Sequence, residues 1–295
     1  MKKLKAWIAA ARLRTLPLSV SGIIVGASLA LDQFYNSVLF WLAIAATLGF
    51  QVLSNFANDY GDGIRGTDTK REGEKRMVAS GFITPKEMKV GMLVMGVITF
   101  FIASILIFMA FGYDSLFTAF IFFNLTLLAL LAAVRYTVGK KAYGYSGWGD
   151  VFVFLFFGFL SVLGSYYLFT QNVTWLEILP ALSIGCFSTA VLNLNNLRDI
   201  HNDAAVGKRT LVVKMGFEKG KRYHAFLLIF GMIAAIGYSL ISERTGWHWL
   251  YVIAFVPMLL NVRTVFKNQE PRKLDGELKK IALSTFLFAL LFSLF

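Results

Sequence analysis

Two clusters of oxygen-bearing side chains follow long apolar segments, and their spacing could place them on helical faces. The first cluster consists of Asn55, Asn58, Asp59, Asp62 and Asp68. If a helix continues through this segment, Asn55, Asp59 and Asp62 project from one face. Carboxylates that share a face repel each other unless a cation binds between them. Because oxygen ligands without histidine or cysteine favour Mg²⁺ or Ca²⁺ over zinc or copper, the cluster predicts a site for a hard divalent cation.

The second cluster, Asn195, Asp199 and Asp203, repeats this arrangement with a regular spacing of four residues. Basic residues accompany both clusters: Lys75, Arg76, Arg198, Lys208 and Arg209. Mg²⁺ takes one or two carboxylates and completes its shell with water and phosphate oxygens, while arginine and lysine bind the remaining phosphate charge. The two clusters together therefore predict a clamp for a diphosphate. The alternative is that these residues only cap and solvate helix ends.

A third polar stretch, RYTVGKKAYGYSGWGD at 135–150, lies between the two clusters in the chain. Tyr136 and Lys140 are four residues apart, so they would share a helical face. Asp150 opens the next apolar segment. The stretch is either a glycine-rich turn with interfacial lysines and aromatic residues, or part of a substrate pocket beside the diphosphate.

The segments that must position these side chains are membrane-spanning helices. The chain of 295 residues is 57% hydrophobic and only 16% charged, and its mean hydropathy is +0.64. Its apolar runs have the length of about 20 residues that crosses a hydrocarbon core, where only helices satisfy the backbone of such segments. The nine predicted spans are 16–33, 38–57, 89–112, 115–134, 149–170, 175–196, 224–242, 247–263 and 278–295. The predicted fold class is an all-α polytopic membrane protein.

The basic residues indicate how these spans are oriented. If the connections alternate across the membrane, Arg244 is the only one of the 29 lysine and arginine residues on the outer side. The positive-inside rule then places the N-terminus in the cytoplasm and the C-terminus outside. The same rule accounts for the net charge of +12 without a nucleic-acid partner. The two clusters consequently lie on the cytoplasmic side.

The chain is predicted to form one membrane-embedded domain over residues 1–295. The clusters at 55–68 and 195–203 suggest two related four-helix halves, with a ninth helix after them. Thr84, Pro85 and Glu87 have the pattern of a helix start, so 58–83 is expected to be a loop, or a short helix and a loop, rather than a continuation of the second span. The single cysteine, Cys186, lies in an apolar run and is expected to be a packed core residue.

The two clusters also carry a family resemblance. Asn58-Asp59-x-x-Asp62 and Asp199-x-x-x-Asp203 resemble the two motifs of the UbiA superfamily of intramembrane aromatic prenyltransferases, N-D-x-x-D-x-x-x-D and D-x-x-x-D. Gly66 stands where the last aspartate of the first motif falls, and Asp68 follows two places later.

The full string from 55 to 68 is most similar to the 1,4-dihydroxy-2-naphthoate polyprenyltransferase branch of that superfamily. The segments RLRTLP at 12–17, YGYSGWGD at 143–150 and NNLRDIHNDAAVGKRTL at 195–211 support the same branch.

This resemblance implies a nine-helix bundle around a central cavity in the cell (inner) membrane, with its active site facing the cytoplasm. A polyprenyl diphosphate would place its tail among the helices, and two Mg²⁺ ions would bridge the diphosphate. Ionisation would give an allylic cation that alkylates 1,4-dihydroxy-2-naphthoate with loss of its carboxylate, giving demethylmenaquinone. No obligate protein partner is implied.

The resemblance also implies roles for individual residues. The predicted metal ligands are Asn58, Asp59, Asp62, Asp68, Asp199 and Asp203. The predicted diphosphate ligands are Lys75, Arg76, Lys140 and Lys208, and further substrate contacts are assigned to Arg198, Asn55 and Asn195. Arg14, Tyr136 and Asp150 are placed near the aromatic acceptor. Asp62, Asp199, Lys140 and Tyr136 are the predicted catalytic residues.

Three alternatives remain at this stage. The acceptor could be 4-hydroxybenzoate or homogentisate, with the same chemistry. A CDP-alcohol phosphotransferase would also be rich in aspartate, but its D-G-x-x-A-R signature is absent from the sequence. An ion-coupled transporter would use the aspartates as a cation site, although transporters usually place such sites near the bilayer midplane.

Overall fold

The computed structural model describes residues 2–66, 76–139 and 142–294, and these residues form helices and connecting segments without a β-strand. Three predicted site residues, Asp68, Lys75 and Lys140, lie outside the described residues. The helical segments are Lys2–Ala11 (α1), Leu16–Ala30 (α2), Val38–Arg65 (α3), Pro85–Phe111 (α4), Leu116–Arg135 (α5), Gly149–Thr170 (α6), Ile178–Arg198 (α7), Ile200–Ala205 (α8), Leu211–Met215 (α9), Phe217–Ile241 (α10), Gly246–Lys267 (α11) and Asp275–Phe292 (α12). The prediction of an all-α membrane protein is confirmed.

Within the described residues, eight helical segments are long and apolar enough to cross a membrane. They include a first span, Lys3–Ala30, that joins α1 to α2. The ninth predicted span corresponds to α12, whose first two turns carry Asp275, Glu277, Lys279 and Lys280. These charges shorten its apolar part below the length of a span. The count of nine spans and the orientation of the termini therefore stay predictions, as does the division into two related halves.

The connection after α3 differs from the prediction of a loop over 58–83. The helix continues to Arg65 and ends at Gly66, whose φ of +71° lies in the left-handed region. A glycine caps a helix in this conformation without steric strain. The predicted start of α4 is confirmed, because Thr84 and Glu87 form a reciprocal capping box with Pro85 in the first turn.

Small residues allow the central helices to approach closely. A Cβ atom on Gly26 of α2 would lie 2.2 Å from the carbonyl oxygen of Val162 in α6, so only glycine fits at this crossing. Small residues at such crossings are typical of membrane helix packing, where van der Waals contact replaces the hydrophobic effect. Helix α7 packs against α6, α10 and α12, and α2 contacts both α6 and α12. Cys186 of α7 is buried in this core, as predicted.

Helix α6 contains an irregular turn at the level of the central cavity. Residues Phe154–Leu160 form a π-helical segment between two α-helical ones. Such segments interrupt the regular placement of side chains and are frequent at functional sites. Here the segment supplies Phe156, Phe157 and Leu160 to the wall of the cavity described below.

Candidate active site

The first acidic cluster lies at the end of α3, and its two described aspartates, Asp59 and Asp62, both have defined partners. The carboxylate of Asp59 accepts hydrogen bonds from the backbone N–H groups of Met77 (2.9 Å) and Val78 (2.8 Å). It therefore fixes the chain where it returns towards α4.

Asp62 lies one turn further along α3 and is buried. One of its oxygens is 3.2 Å from Nη2 of Arg76, and the other accepts a 2.7 Å hydrogen bond from the Tyr145 hydroxyl.

The second cluster lies at the end of α7. The guanidinium of Arg198 contacts both oxygens of Asp199, each at 2.7 Å, in a bidentate pair. The same guanidinium donates to Oδ1 of Asn195 at 2.8 Å and to Oδ1 of Asp275 in α12 at 2.6 Å. Helix α7 ends at Arg198, but the Asp203 N–H still donates to the Asp199 carbonyl at 2.8 Å. This hydrogen bond continues the i to i+4 spacing of a helix from Asp199 to Asp203.

Tyr145 joins the two clusters. Its hydroxyl binds Asp62, and Nζ of Lys208 lies 5.7 Å from its ring centroid. The same Lys208 ammonium forms an ion pair with Asp203 at 3.3 Å. Arg65 of α3 also stacks on this ring, with its guanidinium carbon 4.1 Å from the centroid. The end of α3 and the segment that follows α7 therefore meet across one tyrosine.

The two asparagines of the first cluster have different environments. Asn58 lines the central cavity, and its amide oxygen accepts a 3.1 Å hydrogen bond from Thr137. Asn55 is buried and donates to the Ala11 carbonyl at 2.8 Å and to the Thr15 hydroxyl at 3.2 Å. Asn55 thus holds the corner between α1 and α2.

Two arginines project from that corner. Arg12 adopts φ 49° and ψ 61°, a left-handed conformation that is unfavourable for a residue with a side chain. Strained backbone of this kind persists only where the surrounding structure holds it. The Thr15 hydroxyl binds the Arg12 carbonyl at 2.9 Å, and Asn55 binds on either side of the strained residue. Arg12 and Arg14 both line the basic pocket described below.

A cavity of about 350 Å³ occupies the space between α2, α3, α5, α6 and α7. One wall is a series of aromatic rings. The Tyr136 and Tyr143 centroids are 5.3 Å apart, Tyr143 stacks on Phe152 at 4.0 Å, and Phe152 faces Phe156 at 6.1 Å. A smaller apolar cavity of about 110 Å³ shares Ile23 and other lining residues with it and extends towards Leu168. Together the two cavities form an apolar path that begins near Asn58.

A pocket of about 210 Å³ adjoins the large cavity and is strongly basic. The two share Gln51, Val153, Phe157 and Leu192 in their walls. The basic side chains that line the pocket are Arg12, Arg14, Arg76, Arg198 and Lys279. Arg76 and Arg198 are also the partners of the two acidic clusters, so the pocket lies directly beside them.

Sequence comparison identifies the family of this chain. The model of the UbiA prenyltransferase family matches residues 19–290. The chain belongs to the UbiA prenyltransferase family. It is 41% identical to the 1,4-dihydroxy-2-naphthoate octaprenyltransferase of Haemophilus influenzae, over 99% of this chain and 96% of the relative. It is 38% identical to the Escherichia coli protein of the same name, over 100% of this chain and 96% of the relative.

A solved structure has the same fold as this UbiA-family chain. It comes from work on digeranylgeranylglyceryl phosphate synthase in membranes and has a TM-score of 0.57. The match covers 99% of this chain and 98% of that chain, at 17% identity.

Members of the UbiA family use Mg²⁺, and the acidic clusters suit that ion. Among the described residues, no three carboxylate, histidine or cysteine side chains converge on one metal-binding point. Each cluster instead offers two aspartates with hard oxygen ligands, and Mg²⁺ typically takes one or two carboxylates with substrate phosphates and water. The pair Asp59 and Asp62 and the pair Asp199 and Asp203 are therefore each suited to bind Mg²⁺ when a diphosphate completes the coordination shell of the ion.

Tyr136 and Asp150 lie at the end of the large cavity that is close to the two acidic clusters. Tyr136 lines the cavity, and Asp150 is buried in the first turn of α6. Burial, followed by the negative charges of Asp150, Asp62 and Asp203, raises the pKa of Tyr136 above its ordinary value. The phenol is therefore neutral at physiological pH. Asp150 hydrogen-bonds the side chain of Tyr223, and its negative charge contributes to the raised pKa of Tyr136.

The structure adds several residues that sequence reasoning did not assign. They are Arg12, Gln51, Tyr145, Asp275 and Lys279. Arg12 and Tyr145 stand in two segments that carry the family resemblance, RLRTLP and YGYSGWGD, from which the sequence predicts only Arg14 and Asp150 as site residues. Asp275 and Lys279 belong to the last helix, where no local motif marks them.

Proposed function

We propose that this chain transfers a polyprenyl group from an allylic polyprenyl diphosphate to 1,4-dihydroxy-2-naphthoate, with release of diphosphate and CO₂. The observation that carries the proposal is the meeting of two aspartate clusters across Tyr145, beside a basic pocket and an apolar path. The names of the relatives that are 41% and 38% identical to this chain support the same reaction.

The diphosphate belongs between the two clusters. Asp59, Asp62, Asp199 and Asp203, with Asn58, would hold two Mg²⁺ ions, which when bound neutralise the charge of the leaving diphosphate. Asp68 is a further candidate ligand outside the described residues. Arg76 and Lys208 already lie beside these carboxylates, so each can contact the diphosphate with little movement. Lys75 and Lys140 have the same proposed role.

The polyprenyl tail belongs in the apolar path, where it is removed from water. Breaking the bond between the first prenyl carbon and the diphosphate oxygen leaves a delocalised allylic cation. The faces of Tyr143, Phe152 and Phe156 line the cavity and can stabilise this cation by cation–π interaction. A neutral Tyr136 adds no nucleophilic phenolate to the site.

The aromatic acceptor belongs in the basic pocket. Its carboxylate would bind Arg14 or its neighbours Arg12 and Lys279, because bidentate pairing suits a guanidinium and a carboxylate. The shared wall at Phe157 and Leu192 would then direct the ring towards the prenyl carbon. A carbon–carbon bond forms at the ring carbon that carries the carboxylate. The departing CO₂ leaves its bonding electrons in the ring, so no oxidant is needed and the product is demethylmenaquinol, the reduced form of demethylmenaquinone.

We also propose that the enzyme resides in the cell membrane with this site facing the cytoplasm. The chain is an integral membrane protein by its helices. Within the described residues, the lysines and arginines other than Arg244 flank the helix ends on the same side of the bundle as the clusters, which supports the cytoplasmic assignment. Arg244 lies at the opposite end, where its guanidinium donates to the Phe292 carbonyl.

The acceptor assay tests this function. The purified protein is given Mg²⁺, one polyprenyl diphosphate and either 1,4-dihydroxy-2-naphthoate, 4-hydroxybenzoate or homogentisate, and prenylated products are separated by chromatography. We expect product from the naphthoate. Product from 4-hydroxybenzoate or homogentisate alone would overturn the acceptor assignment. Magnesium-dependent cation uptake in vesicles without any prenylated product would overturn the enzymatic function.

Two variants test the role of the clusters. Asp62→Asn and Asp199→Asn remove one charge from each cluster without changing side-chain size. We expect both variants to insert and fold but to lose turnover. Wild-type turnover in either variant would refute its role in holding the diphosphate and metal.

A further inference from the structure

The last helix contributes directly to the second acidic cluster. Asp275, in the first turn of α12, accepts a 2.6 Å hydrogen bond from Nη1 of Arg198, which is 77 residues away in the sequence. The other two nitrogens of that guanidinium bind Asp199. Arg198 is therefore shared between a motif aspartate and a carboxylate from α12.

A buried polar chain fixes the beginning of α12. Nε2 of His224 in α10 is 2.7 Å from the amide oxygen of Asn261 in α11, and the amide nitrogen of Asn261 donates to Glu277 of α12 at 2.7 Å. All three side chains are buried. Because Glu277 is only two residues beyond Asp275, these hydrogen bonds fix the backbone of α12 at Asp275, and the Asp275 carboxylate is held against Arg198.

The net charge of Arg198, Asp199 and Asp275 indicates the role of Asp275. Arg198 carries one positive charge and Asp199 one negative charge, so the bidentate pair alone is neutral. Asp275 adds a second negative charge, which leaves the group with a net charge of −1. A neutral pair attracts a divalent cation much less than a group with a net negative charge. Arg198 is also buried, where electrostatic interactions are screened less than at the surface.

We propose that Asp275 is a positioning residue that shares Arg198 with Asp199 and so keeps Asp199 available to a divalent cation. This inference rests on the proposed metal role of Asp199. It assigns a function to the last three helices, which otherwise carry no motif: through His224, Asn261 and Glu277 they hold the carboxylate that offsets the charge of Arg198.

The test measures cation binding directly rather than turnover. Mn²⁺, which replaces Mg²⁺ as a spectroscopic probe, is titrated into the full-length protein in detergent with inorganic diphosphate, and free Mn²⁺ is followed by electron paramagnetic resonance. Asp275→Asn removes the charge and keeps the shape of the side chain. We expect its Mn²⁺ affinity to fall roughly tenfold, the effect of one nearby charge screened by protein and water. Asp275→Glu keeps the charge, so its affinity is expected to stay within about twofold of wild type.

Glu270→Gln is the matched control, because Glu270 is an exposed carboxylate close to α12 that pairs only with exposed Lys273 within the described residues. We expect no change in its Mn²⁺ affinity. The Asp275 side chain is 46% exposed, so its replacement leaves the core intact. Asp275→Ser repeats the charge removal with a smaller side chain if the asparagine variant is poorly expressed.

The outcomes separate this inference from the proposed function. Wild-type Mn²⁺ affinity in Asp275→Asn, together with weak binding in Asp199→Asn, would overturn the role of Asp275 and leave the metal site in place. Wild-type Mn²⁺ affinity in Asp199→Asn would overturn the metal role of Asp199 itself. An equal loss of affinity in Asp275→Glu and Asp275→Asn would show that charge is not what Asp275 supplies, and would also overturn the inference. In turnover assays, we expect Asp275→Asn to raise the Mg²⁺ concentration for half-maximal rate about tenfold, with kcat largely restored at saturating Mg²⁺.

Discussion

Removing the Tyr145 hydroxyl tests whether this residue couples the two acidic clusters. Tyr145→Phe deletes the 2.7 Å hydrogen bond to Asp62 and keeps the ring that makes cation–π contacts with Arg65 and Lys208. A hydrogen bond to a charged group contributes about 1.5–3 kcal/mol. Asp62 retains its ion pair with Arg76 at 3.2 Å, so the lower part of that range applies. Since 1.4 kcal/mol is a factor of ten, we expect roughly a tenfold loss in kcat/KM for the polyprenyl diphosphate.

The assay measures initial rates of prenyl transfer at several Mg²⁺ and diphosphate concentrations. Tyr143→Phe is the control, because the Tyr143 hydroxyl donates to the Ala132 carbonyl at 2.9 Å and not to a motif carboxylate. We expect Tyr143→Phe to lower the unfolding temperature slightly without changing the Mg²⁺ dependence. If Tyr145→Phe changed only the unfolding temperature, or if both variants changed the Mg²⁺ dependence equally, Tyr145 would not couple the clusters.

Three further predictions address other parts of the site. Asn55→Ala leaves the Ala11 carbonyl without its buried hydrogen-bond partner, so we expect the free energy of unfolding to fall by about 1–3 kcal/mol. We also expect KM to rise more for the aromatic acid than for the diphosphate. Equal KM changes in two-substrate kinetics would contradict the role of Arg12 and Arg14, which project from this corner, in binding the acid. Ala103→Phe fills the apolar extension of about 110 Å³, so chromatography of products from prenyl diphosphates of increasing length should show a shift to shorter chains; an unchanged preference would place the tail elsewhere. Because burial raises the pKa of Tyr136, the unfolded phenol ionises first as pH rises above about 10, and the folded state loses stability there. Thermal unfolding of Tyr136→Phe should show a smaller loss than wild type, and identical slopes above that pH would refute the shift.

Local sequence patterns predicted the helices well because the backbone polar groups of a segment in lipid must hydrogen-bond within that segment, which favours a helix. Apolar length alone located eight spans within the described residues, and the capping pattern at Thr84 located the start of α4. The same pattern led to the error at 58–83, because a helix start at 84 does not determine where the preceding helix ends. The helix ends at Gly66. In the family motif this position is an aspartate, and in the structure the glycine caps the helix in a left-handed conformation.

The sequence could mark the two clusters because their residues are close together in the chain, but it could not mark contacts that are made across the fold. Asp59 and Asp62, or Asp199 and Asp203, are recognisable from their spacing in the chain. The partners that organise them come from far away: Tyr145 is 83 residues from Asp62. No periodicity in a single sequence reports such a contact, because it depends on how whole helices pack.

The most direct test of the central claim follows the carboxylate of the acceptor. 1,4-Dihydroxy-2-naphthoate labelled with carbon-13 in its carboxyl group is incubated with the purified protein, Mg²⁺ and a polyprenyl diphosphate, and labelled CO₂ and prenylated product are measured by mass spectrometry. The proposed reaction predicts one labelled CO₂ for each prenylated product, and neither when Mg²⁺ is removed. A prenylated product that retains the label, or no prenylated product at all, would contradict it.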